Sequence, residues 1–98
     1  MLEVLKSVTF ETWFSKLRDR QAQARINARI RRLSLGNPGD VRPVGSGVGE
    51  LRVDYGPGYR VHFLQRGDIL AALRCGGDKR TQDVDIKRAI EIAKHWKE

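Results

Sequence analysis

The sequence predicts a single α+β domain. Three observations carry this: two early stretches space their apolar residues as helices do, a middle region alternates apolar and polar residues with period two, and a third helical stretch follows. The 98 residues are enough for one core and leave little room for a second, so residues 1–98 read as one unit. The expected order is β-α-α-β-β-β-α, with an antiparallel-rich sheet.

Residues 2–8 (Leu-Glu-Val-Leu-Lys-Ser-Val) form a short strand candidate. Thr9 suits a helix cap, and Glu11 falls in the first turn, where the helix dipole favours negative charge. Phe10, Trp13, Phe14 and Leu17 then recur at i, i+3, i+4 and i+7, the stripe an amphipathic helix buries. A second helix is expected over about residues 21–35, with Ala22, Ile26, Ile30 and Leu33 on its apolar side. Arg25, Arg29 and Arg32 share a neighbouring side, and no acidic residue occurs between Arg20 and Asp40. Gly36 and Pro38 end this helix, and a loop is expected on through Pro43, Gly45, Gly47 and Gly49.

Period two begins where Leu51 and Val53 alternate with Glu50, Arg52 and Asp54. Gly56-Pro57-Gly58 makes a turn into a second strand over residues 59–65, which sets Tyr59, Val61 and Phe63 on one face and Arg60 and His62 on the other. Arg66-Gly67-Asp68 closes a hairpin, and the nearly all-apolar stretch 69–75 suits a central strand covered on both faces. After a loop from Gly76 to Arg80, Thr81 is placed to cap the last helix, with Asp83 and Asp85 complementing its dipole at the start and Lys94, His95 and Lys97 at the end. Ile86, Ala89, Ile90, Ala93 and Trp96 form its apolar side.

Charge narrows the partners. Nineteen Lys and Arg against twelve Asp and Glu leave +7, with a pI near 10.2, which suits a nucleic acid or an acidic protein. Thirteen of the nineteen cations are Arg, the side chain that grips phosphate bidentately. The longest wholly apolar run, residues 69–73, is five residues, where a membrane-crossing helix needs about 20. The first residues lack a signal peptide's basic and apolar regions, and the lone Cys75 offers no disulfide framework, so a cytoplasmic location is expected. One Cys and two distant His (His62, His95) do not supply a zinc site, Gly45-Ser-Gly47-Val-Gly49 lacks both GxGxxG spacing and the helix that should follow it, and Gly76-Gly77-Asp78-Lys79 lacks phosphate-loop spacing. No metal or cofactor is expected.

What remains is a cationic cluster. Arg60 and His62 share a strand face, the hairpin about Gly67 brings Lys79 and Arg80 towards Arg60, and Arg52 lies on the preceding strand. Three or four cations with one imidazole suit a phosphodiester: the cations stabilise charge developing on phosphate and His62 shuttles a proton. The same residues also fit a solvated sheet face with a salt bridge to Glu50 or Asp54. The Arg25, Arg29, Arg32 face is open to three readings: a solvated surface, a dock for an acidic partner, or a contact to RNA.

Several blocks of the chain resemble a known family. Phe10-x-x-Trp13, Arg25-Ile26…Arg29-Ile30…Leu33…Gly36-Asn37-x-Gly39-Asp40, Gly47-Val48-x-Glu50-Leu51-Arg52, Gly56-Pro57-Gly58-Tyr59-Arg60-Val61 and Gly76-Gly77-Asp78-Lys79-x-x-Gln82-x-x-Asp85-Ile86 are similar to RelE/HigB-type toxins of bacterial type II toxin–antitoxin systems. The resemblance is to the addiction module killer protein branch, related to phage Gp49-like proteins, and covers about residues 3–95. It implies a RelE-like, microbial-ribonuclease-type fold. It also implies a metal-independent endoribonuclease, an mRNA interferase that cuts translated mRNA on the ribosome and so inhibits growth. In such a reaction the RNA 2′-oxygen attacks the adjacent phosphorus and leaves a 5′-hydroxyl.

By the same resemblance Arg60 matches the family's phosphate-stabilising arginine, Lys79 and Arg80 its basic pair, and Arg52 a basic position on the preceding strand. The implied partners are a cognate antitoxin, commonly a helix-turn-helix protein that alone carries the complex to operator DNA, together with the ribosome and mRNA; no membrane is involved. The sequence departs from the family at Gln82–Ile86, where RelE places a tyrosine and HigB a histidine, which leaves His62 as the nearby acid/base group. Two alternatives stand beside this reading: a ParE-like, non-hydrolytic inhibitor of DNA gyrase, and an inactive nucleic-acid-binding relative.

Overall fold

Along the chain run β1 (Glu3–Lys6), α1 (Val8–Ser15), α2 (Arg20–Ser34), β2 (Val41–Gly45), β3 (Val48–Val53), β4 (Tyr59–Arg66), β5 (Ile69–Gly76) and α3 (Gln82–Lys94). A single 3₁₀ turn, Lys79–Thr81, precedes α3. The computed structural model describes residues 1–77 and 79–96, apart from the side chain of Lys79. The strands form one mixed sheet in the order β1-β5-β4-β3-β2, antiparallel throughout except for the parallel pair β1–β5.

The α+β class and the antiparallel-rich sheet are as expected, but β2 corrects the expected order. Its residues read as loop because Pro43 and Gly45 interrupt it. An edge strand tolerates both: Pro43 sits where one side needs no ladder partner, and the pairing with β3 shifts register between Pro43 and Gly45.

Helix starts also differ from expectation. Ser7, not Thr9, caps α1: its Oγ accepts from the Phe10 amide at 2.9 Å and donates to the Leu73 carbonyl, tying the helix to β5. Asp19 caps α2 by accepting from the Gln21 and Ala22 amides. Thr81 holds the cap position of α3, but its hydroxyl donates to the Asp85 carboxylate at 3.0 Å rather than accepting from the backbone. Asp85 is buried and takes both Nε and Nη2 of Arg74 at 3.1 and 3.0 Å, so it does more than complement a dipole.

The sheet is covered on both faces. On one, Phe10 of α1 and Ala22, Ile26, Ile30 and Leu33 of α2 pack on Leu51, Val53, Val61, Phe63, Leu70, Ala72 and Cys75. On the other, Ala89 and Ala93 of α3 meet Val48, Leu64, Ala71 and Leu73. Each fully buried Leu or Ile contributes about 1.5–3 kcal/mol. β5, with apolar residues on both faces between two neighbours, is the central strand its composition suggests. A register shift between His62 and Phe63 accommodates an extra residue on β5, so the consecutive Leu73 and Arg74 both serve the α3 side.

Candidate functional site

α3 packs its apolar side over only part of its face of the sheet. Beyond it, two polar rows cross the strands. In one, Arg42, Glu50, His62 and Arg74 stand in register on β2, β3, β4 and β5, and Asp85 of α3 completes the row. Glu50 is its hub. Its carboxylate is wholly buried and accepts from Arg42 Nε at 3.0 Å, His62 Nε2 at 3.0 Å and Gln82 Nε2 at 3.1 and 3.2 Å. Burial pushes its pKa up, but the hydrogen bonds from His62, Arg42 and Gln82 outweigh this and hold it below the ordinary carboxyl value.

His62 is 1% exposed. Burial is the dominant influence and pushes its pKa down, against the pull of the Glu50 carboxylate, so the ring is neutral at pH 7. Against an ionised Glu50 the proton sits on Nε2, which leaves the buried Nδ1 bare and without a hydrogen-bond partner.

The second row sets Arg52 directly opposite Arg60, with Gly76 on the far side of Arg60. Like charges in that position repel. Among the described residues the one acidic group in ion-pair range of Arg60 is Glu50, at 3.8 Å from Arg60 Nε, too far for a hydrogen bond. Arg60 is buried to 7% exposure and Arg52 is exposed. Gly76 has a steric reason to be glycine: a Cβ there would lie 2.6 Å from the Asp85 carboxylate. The arginine pair lines an open cleft of about 330 Å³ whose other walls are Asp40, Val53, Asp54 and residues 57–59.

Arg52, Arg60 and His62 therefore share one sheet face as their spacing predicts, with His62 one row behind the cleft and out of solvent. Arg80 is exposed in the 3₁₀ turn that leads from the end of β5, while the side chain of Lys79 lies outside the described residues. Arg25, Arg29 and Arg32 line a different groove, between α2 and the end of β3. By spacing alone Glu50 reads only as a possible salt-bridge partner. Its signal was an acid sharing the period-two face of Arg52, opposite a strand whose same face holds Arg60 and His62. Among the described residues no three His, Cys, Asp or Glu side chains gather as a metal site. Cys75 is buried, which pushes its thiol up to about 12. No described helix is long and apolar enough to cross a membrane.

Fold and site together define a basic α+β domain with a two-arginine cleft at one end of its sheet. No established family profile matches the chain. It is 49% identical over 92 residues to an uncharacterized protein of Haemophilus influenzae, covering 94% of this chain and 93% of that one. The chain belongs to the same family as that protein.

Proposed function

We propose that the protein is a RelE/HigB-type toxin of a type II toxin–antitoxin system, with a RelE-like fold, acting as a ribosome-dependent mRNA endoribonuclease in the bacterial cytoplasm. The observation that carries this reading is the Arg52–Arg60 pair. Two arginines in register at an open cleft, of which only Arg60 has a described carboxylate in ion-pair range, distant and already occupied, are at their most stable with an anion between them. A scissile phosphate supplies that anion, and its charge grows as the reaction proceeds, so the pair stabilises the transition state more than the ground state.

The chemistry is transesterification. The 2′-oxygen attacks phosphorus and gives up its proton, the bond to the 5′-oxygen breaks, and that oxygen takes a proton, leaving a 2′,3′-cyclic phosphate and a 5′-hydroxyl. Arg60, Arg52 and the Lys79–Arg80 pair neutralise the phosphate in this scheme, and His62, hydrogen-bonded to Glu50 one row behind the cleft, is the imidazole available to it. An antitoxin with an acidic segment would silence the site by occupying the cleft. The burial of His62 favours a second reading, a relative that binds RNA without cutting it.

A reconstituted translation system separates the two. Purified protein added to translating ribosomes should release fragments with 5′-hydroxyl and 2′,3′-cyclic phosphate ends. Intact mRNA would leave the binding reading in place, and 5′-phosphate ends would contradict the proposed chemistry.

A further inference from the structure

Beside the Arg52–Arg60 cleft of about 330 Å³ lies a wider groove, about 630 Å³, between α2 and the end of β3. Arg25, Arg29, Arg32 and Arg52 line it, with Asp40 and Asp54 at one end. Arg25, Arg32 and Arg52 are exposed, and none of these four arginines forms an ion pair among the described residues. The groove and the cleft share Asp40, Arg52, Val53 and Asp54, where β3 runs on past the start of β2, so they form one continuous surface.

We infer that this groove binds the single-stranded RNA that continues from the scissile phosphate, with the α2 arginines taking successive phosphates. The inference rests on the nuclease reading of the cleft and extends its substrate to a strand several nucleotides long. Four observations carry it. The groove is continuous with the cleft. Arg25, Arg29 and Arg32 recur at i, i+4 and i+7, which spaces them by about 6 and about 4.5 Å along the helix, close to the step of a single strand.

Arg25 also lies over the Tyr55 ring at 5.0 Å, and the Tyr55 hydroxyl is bonded to Asp19 and Gln21 at the start of α2. Tyr55 is not part of the groove wall, but it backs the Arg25 guanidinium, which is and whose flat face can take a base. Finally, the groove wall is small where a backbone would pass (Ala24, Ala28, Gly39), and its two carboxylates are acceptors suited to 2′-hydroxyls and base amino groups.

The test measures binding of 2′-O-methyl RNA, which cannot be cut, to the full chain. Strands of about three and about eight nucleotides distinguish the cleft from cleft plus groove. The wild type should bind the longer strand more tightly, and Arg25/Arg29/Arg32→Ala should lose that advantage while keeping its affinity for the shorter one. Three lost contacts at about 0.7 each in salt slope mean that from about 50 to about 200 mM salt the wild-type affinity falls about twentyfold further than the variant's. Arg29 is half-buried and donates to the Pro38 carbonyl, so Arg25/Arg32→Ala serves as a second variant that spares packing, with about a sevenfold difference expected.

Wild-type affinity and salt slope retained in both variants would overturn the inference, including where an acidic protein partner is lost. So would a wild type that binds both strands equally. Groove-dependent binding by a protein that leaves translated mRNA uncut would instead keep the groove as an RNA site and sink the nuclease reading, and with it the link to a scissile phosphate.

Discussion

Glu50→Ala should be among the costliest single changes in the molecule, and the structure says by how much. Glu50 is wholly buried and accepts three side-chain donors. Its removal leaves the His62 Nε2–H buried without an acceptor, at about 1–3 kcal/mol. Gln82 loses its hydrogen bonds to the carboxylate, a net loss of about 0.5–1.5 kcal/mol. Arg42 is 54% exposed and adds about 0–1 kcal/mol. Arg60 loses its nearest carboxylate, which carries the total towards the 3–5 kcal/mol or so that breaking a buried ion pair typically costs.

A chain of this length has about 5–15 kcal/mol of stability in all, and at about 4–8 °C per kcal/mol Glu50→Ala should lower Tm by about 12–40 °C. Urea titration followed by circular dichroism at pH 7 measures the loss, with Arg42→Ala as the exposed-partner control at about 0–1 kcal/mol. If Glu50→Ala costs no more than Arg42→Ala, Glu50 is not the hub of this face.

Three further outcomes are expected. Stability should fall as pH drops below about 6.5, because the unfolded imidazole takes up a proton that folded His62, its pKa lowered, refuses; a second loss should follow below about 4.5, where the unfolded Glu50 carboxyl protonates first. His62→Gln should flatten the upper limb in a pH series of thermal melts, and an unchanged limb would assign the effect elsewhere. Cys75 should resist iodoacetamide in the native protein and react in urea, read by mass spectrometry, since its buried thiol stays protonated. Gly49→Ala should destabilise by about 1–3 kcal/mol in chemical denaturation, because the new Cβ would fall 2.4 Å from the Phe63 ring; a neutral effect would mean that the ring moves aside freely.

Much of the fold is legible in the sequence where periodicity is strong. The apolar side of α2 (Ala22, Ile26, Ile30, Leu33) is buried as its spacing requires, and Tyr59, Val61 and Phe63 face away from Arg60 and His62 as period two requires. β2 is not legible, because a five-residue edge strand holding Pro43 and Gly45 carries loop chemistry, and only its pairing with β3 makes it a strand. Nor is the register shift that turns Arg74 towards Asp85, since nothing in Leu73-Arg74-Cys75 departs from an ordinary strand.

At the site, the shared face of Arg52, Arg60 and His62 follows from counting residues, but the burial of His62 does not. That depends on the Glu50 network closed by Gln82 of α3, a long-range contact that local pattern cannot express. The same contact explains why Glu50, the most connected side chain there, went unread as part of the site.

If Arg60 stabilises a scissile phosphate, mapping mRNA 5′ ends after induced expression of the wild type and Arg60→Ala will show the loss of that role. The wild type should arrest growth and produce cuts phased with codons in translated messages. Arg60→Ala, shown to be folded by its melting curve, should lose cutting by about 10²–10³, the loss of one transition-state contact. An equally well folded Arg60→Ala that cuts at the wild-type rate, or a wild type that arrests growth without cutting mRNA, would contradict it.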